Sequence, residues 1–228
     1  MSVASHLKIR IEEYDSRIRT FIPGYDEMLD CAAGALTALG IGRLRVVDLG
    51  TGTGALTQAC ARTRQDLQFT VVDADPQILD TARARLSDHN IAATFVEANF
   101  LDVSLPECEV VVSSLALHHV KDSCEKEQLY RRVHRAIVPN GLLILADCCP
   151  SADADIARLE RDAWHAHLRR AYSDAEIDAL FVSWSDEDRY FQLPTELGML
   201  HRAGFEPDVL WRRGAFAVIA AKRPPGRV

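Results

Sequence analysis

Between Leu44 and Gly54 the chain reads Leu-Arg-Val-Val-Asp-Leu-Gly-Thr-Gly-Thr-Gly. A short apolar run containing the β-branched Val46 and Val47 ends at Asp48 and gives way to glycines at alternate positions, Gly50, Gly52 and Gly54. This is the pattern of a buried strand turning sharply into a helix, here continued by Ala55, Leu56, Ala59 and Cys60. Glycine suits such a turn because it tolerates positive φ and leaves no Cβ between the backbone and a ligand. Alternating glycines cost conformational entropy that a plain structural turn does not require, so the stretch predicts a bound molecule.

Two ligands compete for it. Gly50, Gly52 and Ala55 satisfy the dinucleotide fingerprint G-x-G-x-x-G/A, and Asp73 follows at the end of the next apolar run, close to where an acid meets a ribose hydroxyl. An NAD(P)-dependent oxidoreductase is therefore one reading. Asp48 weighs against it: a pyrophosphate over this loop would bring anionic oxygens toward that carboxylate. S-adenosylmethionine has no phosphate and carries an ammonium and a sulfonium, which the acid favours.

Val46-Val47-Asp48-Leu49-Gly50-Thr51-Gly52-Thr53-Gly54 resembles motif I of the class I S-adenosylmethionine-dependent methyltransferases. The resemblance implies S-adenosylmethionine as cofactor and a Rossmann-like, doubly wound α/β sheet of seven strands, order 3-2-1-4-5-7-6 with strand 7 antiparallel. It implies cofactor contacts at Asp48, Gly50, Thr51 and Gly52, then at Asp73 and Ala74. The residues themselves agree for Asp73, since a carboxylate at a strand's C-terminal end accepts two hydroxyl hydrogen bonds, matching the 2′ and 3′ hydroxyls of a ribose. Ala98-Asn99-Phe100 stands where the family commonly has Gly-Asp followed by a small or aromatic residue; Asn99 would accept from the adenine amine and Phe100 would flank the ring. Phe100 reads equally as a core aromatic.

At 228 residues the chain suits one α/β domain with an insertion. We divide it into an N-terminal helical cap (1–43), a cofactor-binding core (44–150), a helical insertion after strand five (151–193), and a final helix with an antiparallel hairpin (194–228). No apolar run approaches the roughly 20 residues that span a bilayer. Met1 to Arg10 lacks the apolar centre of a secretory signal, so the expected location is cytoplasmic, away from membranes. The six cysteines show neither C-x-x-C pairs nor disulfide spacing. A formal charge of −7 opposes a broad nucleic-acid footprint and favours a small-molecule acceptor. Oligomeric state is not fixed by the sequence, and a homodimer stays open.

In the cap, Ile11, Tyr14, Ile18 and Ile22 share a helical face before Pro23-Gly24 breaks the run, and Tyr25 to Leu39 resumes it. Glu13 to Arg19 followed by Ile22-Pro23-Gly24-Tyr25 resembles the segment that folds over the cofactor in methyltransferases related to the tRNA-uridine carboxymethyl-pathway enzymes. Tyr14, Arg19 and Tyr25 become pocket candidates, with simple packing of the cap the alternative.

Further strands are expected at Gln68 to Asp73, Ala92 to Glu97, Glu109 to Ser114 and Leu142 to Asp147, and a helix at Cys124 to Val138 ending in a Pro139-Asn140-Gly141 turn. Asp75-Pro76 reads as N-cap and first helical residue. Ser114-Leu115-Ala116-Leu117-His118-His119 resembles the family's loop after strand four, where acceptor and methyl group meet, with Ser114 and Leu115 against the cofactor. Methyl transfer is an in-line displacement that needs a base only if the nucleophile carries a proton, and His118 or His119 could be that base, a structural role being the alternative. No metal is expected, since no nearby Asp, Glu or Cys has ligand spacing to the pair. Asp147 emerges at the same edge, for substrate or as a turn cap. In the insertion, Trp164, His165, His167, Trp184 and Tyr190 are candidates for an acceptor wall, Trp164 foremost, with packing the alternative. Phe205 to Trp211 and Ala215 to Ala221, joined by Arg212-Arg213-Gly214, read as the terminal hairpin.

The expected function is methyl transfer from S-adenosylmethionine to oxygen or nitrogen of a small acceptor. A tRNA-modification enzyme, the oxidoreductase above and a non-catalytic cofactor-binding subunit are the alternatives.

Overall fold

A computed structural model describes residues 13–40 and 42–226; Ile11 and the Met1 to Arg10 reading lie outside them. Seven strands form one sheet: β1 Leu44–Leu49, β2 Leu67–Asp73, β3 Ala93–Glu97, β4 Cys108–Ser114, β5 Ile137–Cys148, β6 Glu206–Arg213 and β7 Phe216–Lys222. Their order is β3-β2-β1-β4-β5-β7-β6, with β7 antiparallel to both neighbours and the other pairings parallel. Parallel strands covered on both faces must be apolar at consecutive positions. β4 meets this with Val110, Val111 and Val112, all fully buried.

The two-residue period of a strand sends these side chains to opposite sides. Val46, Val110, Val112 and Ile144 pack with the cap helices α1 (Tyr14–Phe21) and α2 (Tyr25–Gly34), with α3 (Ala55–Thr63) and α4 (Pro76–Asp88), and with the insertion helices α6 (Ala154–Leu168) and α7 (Asp174–Glu187). Val47, Val111, Leu143 and Leu145 pack with α5 (Ser123–Ala136) and α8 (Leu193–Arg202). Burying one such side chain contributes about 1.5–3 kcal/mol. Two cores of this kind make the sheet the rigid centre on which the site is built. No helix among the described residues is long and apolar enough to cross a membrane.

Helix starts follow side-chain chemistry. Asp75 accepts from the Gln77 N–H at 2.9 Å ahead of Pro76, and Ser173 with Glu176 forms a reciprocal capping box at α7. Two expected boundaries move. α5 ends at Ala136, and Pro139-Asn140-Gly141 runs within a long β5 instead of forming a separate turn. Past the end of β7, Arg223 pairs with this segment: Asn140 N–H donates to the Arg223 carbonyl and Arg223 N–H to the Gly141 carbonyl, both at 2.9 Å. Backbone partners there make the ladder continuous, while Asn140 still takes the left-handed φ of 68°. The insertion leaves the sheet after Cys148 and returns at α8, and its ends meet where Leu193 N–H donates to the Pro150 carbonyl at 2.9 Å.

Candidate functional site

The C-terminal ends of β1, β2 and β4 open on one cavity of about 420 Å³, roofed by α1 and walled by the insertion. At the β1 end, Gly50 and Thr51 N–H groups donate to the Val72 carbonyl, and Gly50, Gly52 and Gly54 all have positive φ. A Cβ on Gly50 would sit 2.4 Å from the Ala116 Cβ, so only glycine fits there. A Cβ on Gly52 would meet no protein atom within 4 Å, leaving open room over the backbone.

Asp48 is 1% exposed and lines this cavity. Its Oδ2 accepts from Thr51 Oγ1 at 2.9 Å and Thr57 Oγ1 at 2.5 Å, while Oδ1 is buried with no hydrogen-bond partner among the described residues. Burial pushes its pKa up to about 6, against the two threonine hydrogen bonds. An orphaned carboxylate oxygen beside a glycine cradle suits an ammonium donor and repels phosphate, so the residues present fit S-adenosylmethionine.

Asp73 accepts from Gly52 N–H at 2.9 Å and Asp75 N–H at 3.1 Å, and burial raises its pKa. A carboxylate has about four lone-pair positions. Part of that capacity stays available for hydroxyls. Ala74, Asn99, Phe100, Ser114 and Leu115 also line the cavity. Asn99 Oδ1 already accepts from Leu101 N–H at 2.9 Å, holding its turn with one lone pair still open to a ligand.

Leu115 adopts φ 49°, rare for a bulky residue, with its N–H held by the Ala146 carbonyl at 2.9 Å. The chain then enters a short 3₁₀ turn, Leu117–His119, that delivers both histidines to the cavity. His118 is 7% exposed; its Nδ1 lies 2.6 Å from Asp147 Oδ1, and its own N–H donates to Asp147 Oδ2 at 3.2 Å. Burial alone would lower the imidazole pKa, but Asp147 and Asp188 outweigh it and raise it. Burial would likewise raise Asp147, and His118 holds it low instead. His119 Nδ1 stands 3.1 Å from Asp188 Oδ1, and Tyr190 donates to Asp188 Oδ2 at 2.5 Å.

The far wall is aromatic. Trp164 stacks on Trp184 with centroids 5.2 Å apart and meets Phe216 edge-on at 4.8 Å, while its indole N–H donates to the Phe21 carbonyl at 2.7 Å. Tyr14 and Tyr25 reach the cavity from the cap; burial and nearby Asp73 push the Tyr14 pKa up to about 12.

Arg19 does not join them. It follows Ile18 on α1, one helical step of about 100° round from the buried face. Its half-exposed guanidinium pairs instead with Asp26 at 2.9 Å and lies over the outer face of the cap at Tyr25. His165 and His167 are also absent from the lining, His165 stacking on Phe181. The lack of acids at ligand spacing along the sequence does not carry over to space, because the fold brings Asp147 and Asp188 to the histidines. Asp147 was legible from strand order: Ser114 pairs with Ala146, so the next residue on β5 lies beside the loop after β4. Asp188 had no such signal.

Against known proteins, the family described as "Methyltransferase domain" matches residues 46–141. Carboxy-S-adenosyl-L-methionine synthase of Aeromonas hydrophila is 28% identical over 207 residues, covering 88% of this chain and 82% of the relative. The protein of that name from Escherichia coli is 22% identical over 205 residues, covering 88% and 83%. Among solved structures, an O-methyltransferase family protein from Burkholderia thailandensis has a TM-score of 0.65 at 20% identity, covering 89% of this chain and 57% of the other. Human N-acetylserotonin methyltransferase, solved with S-adenosylmethionine, has a TM-score of 0.59 at 22% identity, covering 85% and 51%. The chain thus spans little more than half of these two larger structures, which it matches in fold. Motif order, strand order and these likenesses support a class I S-adenosylmethionine-dependent methyltransferase.

Proposed function

We propose that the chain methylates an oxygen or nitrogen of a small, largely apolar acceptor, with His118 taking the acceptor's proton. The observation that carries this reading is the His118–Asp147 pair in the wall of the cavity. Asp147 fixes the tautomer by accepting from Nδ1–H, which leaves Nε2 as the lone-pair nitrogen, 3.7 Å from Asp188 and beyond hydrogen-bond reach.

Bound S-adenosylmethionine supplies an electrophilic methyl group on a sulfonium. Asp48 holds the ammonium, Asp73 the ribose hydroxyls, and Asn99 with Phe100 the adenine. Gly50 and Gly52 let the backbone approach the ligand closely. Tyr14 and Tyr25 close the cavity from the cap, while Trp164, Trp184, Tyr190 and Phe216 offer flat apolar walls to the acceptor. Alignment and exclusion of water carry much of the acceleration in such a displacement. His118 then removes the proton as the nucleophile loses it.

The relatives support a second reading, formation of carboxy-S-adenosylmethionine, in which the cofactor gains a carboxyl group. Asp186, Glu187 and Asp188 line the cavity with Lys121, and this acidic balance weighs against building a new anion there. Mass spectrometry of the spent cofactor separates the two. Incubation with S-adenosylmethionine and a panel of phenols and amines is expected to give S-adenosylhomocysteine and a methylated acceptor. A cofactor enlarged by a carboxyl group, with no methylated acceptor, would overturn the proposal.

A further inference from the structure

We infer that His118, His119 and Asp188 form a binding site for a divalent transition cation, zinc fitting best, whose occupancy blocks methyl transfer by taking the lone pair that removes the acceptor's proton. One ligand atom from each residue lies within 4.8 Å of the others. His119 Nδ1 and His118 Nε2 stand 3.1 and 3.7 Å from Asp188 Oδ1. Tetrahedral zinc with bonds of about 2.0–2.1 Å has ligand-to-ligand edges of about 3.3–3.4 Å. Two of the three separations bracket that edge and the third lies within 4.8 Å, so side-chain rotations would seat the ion.

The supporting residues match what metal ligands require. A ligating histidine is oriented by a carboxylate on its other ring nitrogen. Asp147 does this for His118 at 2.6 Å, directing Nε2 toward the cluster. A ligating carboxylate is likewise held by a hydrogen bond, and Tyr190 supplies it to Asp188 at 2.5 Å. Two imidazoles and one carboxylate form a borderline donor set that prefers zinc or cobalt to magnesium or calcium. The fourth position faces the cavity, and the half-exposed His119 gives the ion a path from solvent.

The test is a Co²⁺ titration of the full-length chain, followed by visible absorption, because four-coordinate Co²⁺ absorbs strongly and zinc displaces it. One Co²⁺ per chain with that spectrum is expected, lost on adding one Zn²⁺. Tyr190→Phe, a change to a supporting residue, is expected to raise the dissociation constant about 10–100-fold, and Asp188→Asn and His119→Gln at least as much. Thermal unfolding of the same samples, followed by circular dichroism, shows that each variant is folded. If Asp188→Asn does not fold, His119→Gln decides, its side chain being 35% exposed. A pale six-coordinate spectrum, or equal affinity in the original chain and His119→Gln, would overturn the inference. The titration needs no acceptor and no turnover. A failure to methylate would strike the proposed function, and with it the blocking effect that rests on that reading, while leaving the cation site standing.

Discussion

The two halves of the cavity are made of different materials. Under β1, β2 and β3 the ligand side is backbone and short polar groups: glycines at positive φ, main-chain N–H groups, Asp48, Asp73 and Asn99. Beyond β4 and β5 it is rings and coupled ionisable side chains: His118, His119, Asp147, Asp188, Tyr190 and the Trp164–Trp184 stack. The first half is assembled by local chain geometry, so it suits a ligand that never changes. The second is assembled from the loop after β4, the end of β5 and a long insertion, so its shape can vary while the sheet stays fixed.

If the halves are separable, substitutions in one should leave the other's ligand alone. The largest effect is expected from His118→Gln, with methylation slowed about 10²–10⁴-fold by loss of the base while S-adenosylhomocysteine affinity in calorimetry holds. A matching loss of cofactor affinity would break the division.

Gly50→Ala should act on the other half. The new Cβ meets Ala116 at 2.4 Å on a backbone at φ 68°, so a loss of roughly 2–4 kcal/mol is expected from strain and overpacking together, read by denaturant unfolding and cofactor titration. Asp48→Asn should weaken S-adenosylhomocysteine by about 1–3 kcal/mol through a lost charged hydrogen bond.

The same group sets a pH dependence. Burial raises the Asp48 pKa from 3.8 to about 6 in the ligand-free fold. Its protonated form is favoured by folding, so that contribution to ligand-free stability is present at low pH and fades as pH rises through about 6. Affinity for the cofactor's ammonium runs the opposite way and falls as pH drops below about 6, an expectation checked by calorimetry across that range and by its absence in Asp48→Asn. The smallest effect is expected at Arg19→Ala: its exposed pair with Asp26 contributes about 0–1 kcal/mol, and neither cofactor nor acceptor affinity should change. A marked loss there would place Arg19 in the cavity after all.

The same division governs what the sequence shows. The hairpin and the glycine turn follow from periodicity and from residues within a few positions of one another, which is why Leu44 to Gly54 and Asp73 stand out unaided, whereas the strand order came from the family resemblance. The histidine pair was visible as a pair, but its meaning was not. Asp147 completes it through the β4–β5 register, and Asp188 through the return path of the insertion. Arg19 misled for a different reason: the family resemblance of its segment suggested the pocket, although the face shared by Tyr14, Ile18 and Ile22 already set Arg19 one helical step off the buried side. Pro139-Asn140-Gly141 read as a free turn because its partner, Arg223, lies at the other end of the chain.

The bond between Leu193 and Pro150 has a consequence for how such a protein can diversify. Since the two chain ends are already clasped, the closure entropy depends only weakly on what lies between them, with each doubling of length costing about 0.6 kcal/mol. The stretch from Ser151 to Gln192 can be treated as a cassette: a foreign helical pair spliced between the same two anchors would re-tailor the acceptor wall, while the methyl donor's berth is inherited unchanged.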